Sequence, residues 1–197
     1  ADSIGATYNH RLRQLGDDNS VTIMQSGHVN RVSVGSPING QSGVVQDGSF
    51  NKITITQQST THTIADTVNG NFVYTVRQKS NAGESSTTNE LIVDQNGGGS
   101  ANNYIKHEIL RVTQTHTGGD KNTISATQTG AGLNNTGAQT GNDISVLEQD
   151  GYGNKTTVIQ NGLRHAVDAV IQKGADNDAT VRQDGYHACH RRFVPPA

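Results

Sequence analysis

One short string recurs along this chain and limits what the chain can fold into. Full copies of Gln-x-Gly-x-x-Asn begin at Gln14, Gln25, Gln46, Gln149 and Gln172, and partial copies begin at Gln95, Gln128, Gln139, Gln160 and Gln183. Neighbouring glutamines are mostly 11 residues apart. A fixed period is the sequence signature of stacked repeats. Each copy is therefore expected to be one unit of a repetitive architecture.

The segments between these strings alternate in polarity. The pattern Asn-x-apolar-x-apolar-x-Gln begins at Asn19, Asn51, Asn89, Asn122 and Asn177. Alternation over seven residues with abundant Val, Ile and Thr is typical of a β-strand, and no long 3.6-residue period competes with it. The sequence therefore predicts an all-β chain with almost no helix.

The period of two also predicts which residues face inward. In the copy that starts at Asn51, two apolar residues, Ile53 and Ile55, share the inner face with Asn51 and Gln57. Two strands and two corners give a turn of about 22 residues, so we expect eight or nine turns of a cross-β, amyloid-like β-solenoid. The predicted core is Val21, Ile23, Val32, Val34, Ile53, Ile55, Leu91, Val93, Ile124, Val158 and Val181.

Stacking gives the inward amides a role. A carboxamide above its own copy in the next turn can donate to one neighbour and accept from the other, which satisfies a buried polar group. The predicted ladder contains Asn19, Gln25, Asn30, Gln46, Asn51, Gln57, Gln78, Asn89, Gln95, Asn122, Gln128, Gln149, Asn154, Gln160, Gln172, Asn177 and Gln183. Corner glycines, which tolerate positive φ, are predicted at Gly16, Gly27, Gly48, Gly151, Gly162, Gly174 and Gly185.

Composition excludes several classes of protein. Hydrophobic residues make up only 31% of the chain, and no apolar run reaches the ~18 residues of a membrane span. A net charge of −2 without a basic cluster argues against nucleic acid as a partner. The single cysteine, Cys189, cannot form an internal disulfide. The start Ala1-Asp2-Ser3 fits a secreted chain after removal of a signal peptide.

The corner and strand motifs together resemble the curlin repeat of bacterial curli. The resemblance covers most of residues 14–188. It implies a subunit that is secreted unfolded through an outer-membrane pore and that joins extracellular amyloid fibres. Because the strands nearest the two ends, at Asn19–Gln25 and Asn177–Gln183, carry the same ladder residues as the interior, we expect polymerisation to be head to tail. Such fibres belong to the biofilm matrix and serve surface adhesion. The implied partners are other copies of the chain, another curlin subunit and the secretion pore, with no nucleic acid and no membrane insertion.

The pattern is irregular in places. We expect an N-terminal segment at 1–13, a solenoid at 14–188 and a C-terminal tail at 189–197. Enlarged loops are predicted near 58–88, 96–103 and 129–142, where corners are missing or crowded. Because minor and nucleating curlin subunits are often more degenerate than the main fibre subunit, both roles stay open.

Other kinds of function find little support in the sequence. His165, His187, Cys189 and His190 lack the spacing of a metal site, and no cofactor is expected. The aspartates do not form the carboxylate pair that a glycosidase needs, so no enzyme is predicted. The outward strand positions are too mixed for an ice-binding face. A capped, monomeric β-solenoid adhesin remains the main alternative to a fibre subunit, because caps would protect the terminal strands.

Overall fold

The computed structural model describes residues 3–4, 11–26, 30–32, 43–58, 70–81, 86–98, 106–131, 141–186 and 189–190. Every element in these ranges is a β-strand, and every strand pair is parallel. The predicted all-β solenoid is therefore confirmed. No helix of the described residues is long and apolar enough to cross a membrane.

The described strands form two sheets. Sheet A contains β1 (Ser3–Ile4), β2 (Arg11–Leu15), β4 (Arg31–Val32), β5 (Gly43–Asp47), β7 (Gly70–Lys79), β10 (Lys106–His116), β12 (Asp143–Tyr152), β14 (Ala166–Ala175) and β16 (Cys189–His190). Sheet B contains β3 (Ser20–Ser26), β6 (Asn51–Gln58), β8 (Asn89–Val93), β9 (Gly97–Gly98), β11 (Asn122–Ala131), β13 (Lys155–Leu163) and β15 (Asp178–Tyr186).

The chain winds between the sheets in six turns. Turn 1 consists of β1, β2 and β3, turn 2 of β4, β5 and β6, and turn 3 of β7, β8 and β9. Turns 4, 5 and 6 are the pairs β10–β11, β12–β13 and β14–β15, and β16 begins a seventh turn on β14. Parallel strands in neighbouring turns lie about 4.8 Å apart.

The turns are longer than the expected 22 residues, and there are fewer of them than the expected eight or nine. Aligned glutamines of sheet A are 32, 32, 36, 35 and 23 residues apart. Only the last spacing is near the expected length. The extra residues lie in connections, so the stack is shorter than a count of motifs suggests. Strand β7 lies inside the segment 58–88, for which a loop is predicted.

In turns 4 to 6 each sheet A strand has one more residue than the sheet B strand that follows it. In turns 3 to 6 the strand pairing is interrupted at one position, so that it passes from Ile109 and Val73 to Arg111 and Thr75 across Leu110 and Tyr74. The same interruption of the pairing recurs at Ser145. This stacked irregularity resembles a β-bulge repeated in register. In turn 2, residues 33–42 are inserted at this same position, between β4 and β5.

The core is a thin double layer between the sheets. The alternation of β6 places Ile53 and Ile55 inside with no exposed area, while Lys52 points outward. Most of the predicted core is confirmed as buried, but Val21 and Ile23 in turn 1 are only half-buried, and Val34 lies outside the described residues. Apart from Val32, the sequence missed the core residues that sheet A supplies: Val44, Val73, Val76, Ile109, Val112, Ile144, Leu147, Val167 and Val170.

Candidate functional site

The inward glutamines of sheet A form a continuous ladder. Each Nε2 donates to the Oε1 of the next glutamine towards the C-terminus, at distances of 2.8, 3.1, 2.8, 3.0 and 2.8 Å. We call this set ladder A, and it consists of Gln14, Gln46, Gln78, Gln114, Gln149 and Gln172. All five bonds run in one direction, so the ladder has a polarity along the stack.

Ladder A also joins the two sheets. From Gln46 onwards, each side-chain amide also reaches a backbone carbonyl of sheet B, as from Gln46 to Ser20 at 3.0 Å and from Gln78 to Lys52 at 2.7 Å. Gln172 donates to Lys155 at 2.8 Å and to Asn177 at 2.9 Å. Each of these glutamines therefore ties neighbouring turns and facing strands together.

A second ladder runs along sheet B, and its polarity reverses once. We call it ladder B, and it consists of Gln25, Gln57, Gln95, Gln128, Gln160 and Gln183. Gln57, Gln95 and Gln128 each donate towards the N-terminus at 2.6–2.7 Å, whereas Gln160 donates towards the C-terminus, to Gln183, at 2.8 Å. Gln128 and Gln160 occupy paired positions, so their bonds point away from each other.

Asparagines at the corner from sheet A to sheet B form the first-corner ladder, which consists of Asn19, Asn51, Asn89, Asn122, Asn154 and Asn177. Each Oδ1 accepts from the side chain or backbone N–H of the next asparagine, at 2.8–3.3 Å. The side-chain amides also bind corner carbonyls, as Asn19 binds those of Leu15 and Gly48 at 3.0 and 2.7 Å. The ladder thus satisfies backbone groups that the sharp corner leaves without strand partners.

The return corner, from sheet B to sheet A, carries a mixed ladder of asparagine and histidine. This second-corner ladder consists of Asn30, Asn71, His107, Asn142 and His165. The backbone N–H of Asn142 donates to Nδ1 of His107 at 3.1 Å, and that of His165 donates to Oδ1 of Asn142 at 3.1 Å. A neutral imidazole nitrogen accepts a hydrogen bond as an asparagine oxygen does, so histidine can replace asparagine here.

Burial changes the acid–base behaviour of one member of this ladder. His107 has no exposed area, and this desolvation lowers the pKa of His107 to about 4. The neutral ring fits the hydrogen bond that Nδ1 accepts from Asn142. Nε2 of His107 has no hydrogen-bond partner among the described residues.

Corner glycines allow the turns to stack closely. Gly48 has a φ of +99°, and a Cβ there would lie 2.5 Å from Oγ of Ser80 in the next turn and would overlap the carbonyl of Ser80. Ser80 and His116 take the same corner position in turns 3 and 4. Gly16, Gly151, Gly162, Gly174 and Gly185 also have positive φ. Gly27 lies outside the described residues.

Outward charges form pairs between turns. Nζ of Lys52 lies 2.7 Å from Oε1 of Glu90, and Nζ of Lys121 lies 2.6 Å from Oε2 of the same carboxylate. These two lysines hold the pKa of Glu90 below its usual value despite its burial. Lys155 and Asp178 form a looser pair at 3.8 Å on the outer face. Opposite charges in neighbouring turns therefore support the same register as the amide ladders.

The structure thus brings together all the residues of the predicted ladder, but in four separate ladders. Sequence reasoning missed Gln14, Gln114, Asn71, His107, Asn142 and His165. Except at Gln14, the common signal is an apolar pair spaced by three residues, as in His107-x-Ile109-x-x-Val112-x-Gln114. No group of three or more His, Cys, Asp or Glu residues within the described ranges is placed to hold a metal ion; His187 lies outside those ranges.

The two ends of the stack are sheet edges. At one end β2 and β3 pair only with the next turn, and we call their outer edges the N-terminal face. At the other end, no described strand pairs with the outer side of β15 or with Ala169–Ala175 of β14. We call this the C-terminal face. Both faces carry members of the ladders.

Comparison with known proteins supports the curlin resemblance. Residues 16–58 match the family model of the curlin associated repeat, and this range spans β3 to β6 with ladder residues from all four ladders. No curated protein and no solved structure matches the chain. The family match supports a structural subunit of the curli type, a family of extracellular amyloid subunits rather than enzymes.

Proposed function

We propose that this chain is a structural subunit of an extracellular, curli-like amyloid fibre that grows head to tail. In the fibre, the N-terminal face of one copy stacks on the C-terminal face of another. The fibre contributes to biofilm matrix and surface adhesion. The chain leaves the cell through an outer-membrane pore and works with a second curlin subunit. A single cysteine suits such export, since no internal disulfide can form before passage.

One observation carries this proposal: the two faces present the same residue types at the same register. The first turn carries Asn19 and Gln25, and the sixth carries Asn177 and Gln183. An unpaired strand edge is a template for another strand. A second copy would complete the backbone pairing of β15 and continue the ladders. Because the contact joins two different faces, it does not close and yields a filament.

The direction of ladder A fits this stacking. Gln14 uses its Nε2 to donate to Gln46, so its Oε1 is the group that can accept from a preceding turn. Gln172 stands at the opposite end, and its Oε1 already accepts from Gln149 and from Thr156 Oγ1. The Nε2 of Gln172 would then donate onward, as each interior member does. The two ends are thus complementary in a head-to-tail contact.

Seeded growth tests the proposal. Purified chain incubated with preformed fibre fragments is expected to elongate them without a lag, to bind an amyloid dye and to diffract near 4.8 Å along the fibre axis. Chain without seeds should show a lag that shortens at higher concentration. A chain that stays monomeric with seeds at high concentration, as judged by analytical ultracentrifugation, would contradict the proposal.

A capped, monomeric adhesin is the second candidate, and one observation favours it. Val170 and Val181 in the last turn are 0% and 3% exposed, whereas Leu12 in the first turn is 48% exposed. Strand β16 also covers Ala166 and Val167. The C-terminal face is therefore more closed than the N-terminal face. The adhesin predicts stable monomers that bind surfaces but do not extend seeds.

A further inference from the structure

Two short strands at opposite ends of sheet A occupy the same register position. Ser3 of β1 pairs with Arg31 of β4, and Arg31 pairs with Phe72 of β7. The column continues through Glu108 and Asp143 to Ala166 of β14. Ala166 then pairs with Cys189 of β16. Strands β1 and β16 are thus both the first half of a sheet A strand.

Head-to-tail stacking brings these two strands into conflict. If turn 1 of one copy sits directly on turn 6 of another, β3 pairs with β15 and β2 pairs with the second half of β14. Only one strand then fits between the first half of β14 and β4 of the incoming copy, since neighbouring strands are about 4.8 Å apart. Either β1 or β16 can occupy that place.

The winding of the chain favours β16. Two residues separate the end of β15 at Tyr186 from the start of β16 at Cys189, and two residues also separate Leu163 from Ala166 at the preceding corner. Strand β16 therefore follows the same corner step as the turn before it. Strand β1 is joined to β2 through six residues, 5–10, and so has a longer tether.

We propose that the junction between two copies contains a composite strand of sheet A, made of β16 from one copy and β2 from the next. The partner at this surface is a second copy of the chain, and the inference rests on the proposed head-to-tail fibre. In the junction β1 leaves its place on β4, and β16 pairs with β14 of its own copy and with β4 of the incoming copy. The C-terminal strand β16 of each copy is thereby held by its neighbour.

The outward residues at this junction are compatible. By register, Arg13 lies over Ile171 and Leu15 over Lys173. On sheet B, Ser20 lies over Asp178 and Met24 over Arg182. None of these positions pairs like charges. Leu12, half-exposed in the single copy, lies over Val170, which extends the apolar core across the junction.

The single cysteine makes the arrangement testable. In the composite strand, Cys189 of one copy is paired with Arg31 of the next, at a Cα separation of about 4.8 Å that a disulfide can span. Within one copy the same two positions are separated by five strand spacings, about 24 Å. The variant Arg31→Cys should therefore form disulfides only between copies. The comparison variant is Ser3→Cys, which lies next to Cys189 only if β1 stays in place and stacks on β16.

Fibres of both variants are grown on wild-type seeds under reducing conditions, oxidised with diamide and run on a non-reducing gel. We expect Arg31→Cys to give a series of covalent multimers, and Ser3→Cys to remain monomeric. Soluble Arg31→Cys should not cross-link. If the Arg31→Cys chain does not assemble by itself, a double variant with both Arg31→Cys and Cys189→Ser can be mixed with wild-type chains. The thiol introduced at position 31 of the double variant then lies next to Cys189 of a wild-type copy.

The opposite pattern, with multimers from Ser3→Cys and none from Arg31→Cys, would overturn the composite strand but leave the fibre proposal intact. Fibres that grow normally but cross-link in neither variant would also overturn it. Failure of the wild-type chain to extend seeds would instead contradict the proposed function, and with it this junction.

Discussion

Gln128 and Gln160 face each other across two paired strands, yet no hydrogen bond joins their side chains. Gln128 donates to Gln95 at 2.6 Å, and Gln160 donates to Gln183 at 2.8 Å. Both Oε1 atoms are buried without a partner among the described residues. An unsatisfied buried acceptor costs roughly 1–3 kcal/mol. The contact between turns 4 and 5 is therefore weaker in sheet B than in sheet A.

A pair of matched substitutions tests this difference. Gln149→Leu removes ladder bonds to both neighbours, Gln114 and Gln172, and should lower the free energy of unfolding by about 2 kcal/mol. Gln160→Leu, equally buried, removes one ladder bond and a long bond of 3.4 Å to the Asp143 carbonyl, and it also removes an unpaired oxygen. We expect it to cost about 1 kcal/mol less. Equal losses in urea denaturation would show that the reversal in ladder B has no energetic effect.

Glu90 should contribute to stability in a pH-dependent way. Its carboxylate lies between Lys52 and Lys121, which hold the pKa of Glu90 below 4.5. The stabilisation is therefore complete above the unfolded pKa and is lost as the pH falls through the folded pKa. Because both lysines are about half exposed, we expect Glu90→Gln to cost only about 1 kcal/mol at pH 7.

The difference between wild type and Glu90→Gln should shrink progressively below pH 4.5 in denaturant titrations. Asp178→Asn is the control, since Asp178 pairs with Lys155 at 3.8 Å and both side chains are mostly exposed. Its effect should stay within about 0.5 kcal/mol at every pH. A Glu90→Gln effect that does not change with pH would exclude an ionic contribution.

His107 should make the fold less stable in mild acid. The pKa of His107 is lowered to about 4 in the folded chain by desolvation, against 6.5 for an unperturbed histidine. Between these values the unfolded chain binds a proton that the folded chain does not, so stability falls as the pH drops from 6.5 to 4. The loss is on the order of 3 kcal/mol and levels off below the folded pKa.

The variant His107→Asn tests this assignment, because Asn71 and Asn142 hold the same ladder position in the neighbouring turns. Thermal melts between pH 4 and pH 8 should show a smaller slope for the variant than for wild type. An unchanged slope would assign the acid sensitivity to other groups.

The sequence predicted sheet B well and sheet A poorly, for a geometric reason. In β6 a strict alternation places Ile53 and Ile55 inside, and that period can be read directly. In sheet A each strand has an extra residue at the position of Tyr74. The inward residues Val73 and Val76 are therefore three positions apart, which breaks the alternation. The same irregularity, together with the inserted residues 33–42, hid the true length of a turn.

The candidate site could be predicted only where the residue type repeats. Asn51 and Gln57 follow a uniform motif, and they were found. His107 was missed because its Nδ1 serves as an acceptor in place of an asparagine oxygen, an equivalence that is visible only in the stack. Gln114 was missed because His116 replaces the glycine that normally marks the corner.

The most direct test of head-to-tail growth is the elongation rate of Gly174→Ala compared with that of Gly118→Ala. Both glycines have positive φ, at +92° and +121°, and a Cβ would meet no described atom within 4 Å at either position. The two variants should therefore lose similar stability as monomers, about 1–2 kcal/mol. Only Gly174 lies on the C-terminal face. Within one copy, a Cβ on Gly16 would overlap the carbonyl of Gly48 in the next turn. In the fibre, a Cβ at position 174 would overlap the Gly16 carbonyl of an incoming copy in the same way.

Seeded growth is followed by dye fluorescence at one monomer concentration, with wild-type fibre fragments as seeds. We expect Gly118→Ala to elongate the seeds at close to the wild-type rate, whereas Gly174→Ala should add poorly and block further growth. Elongation by Gly174→Ala at the rate of Gly118→Ala would contradict stacking of turn 1 on turn 6.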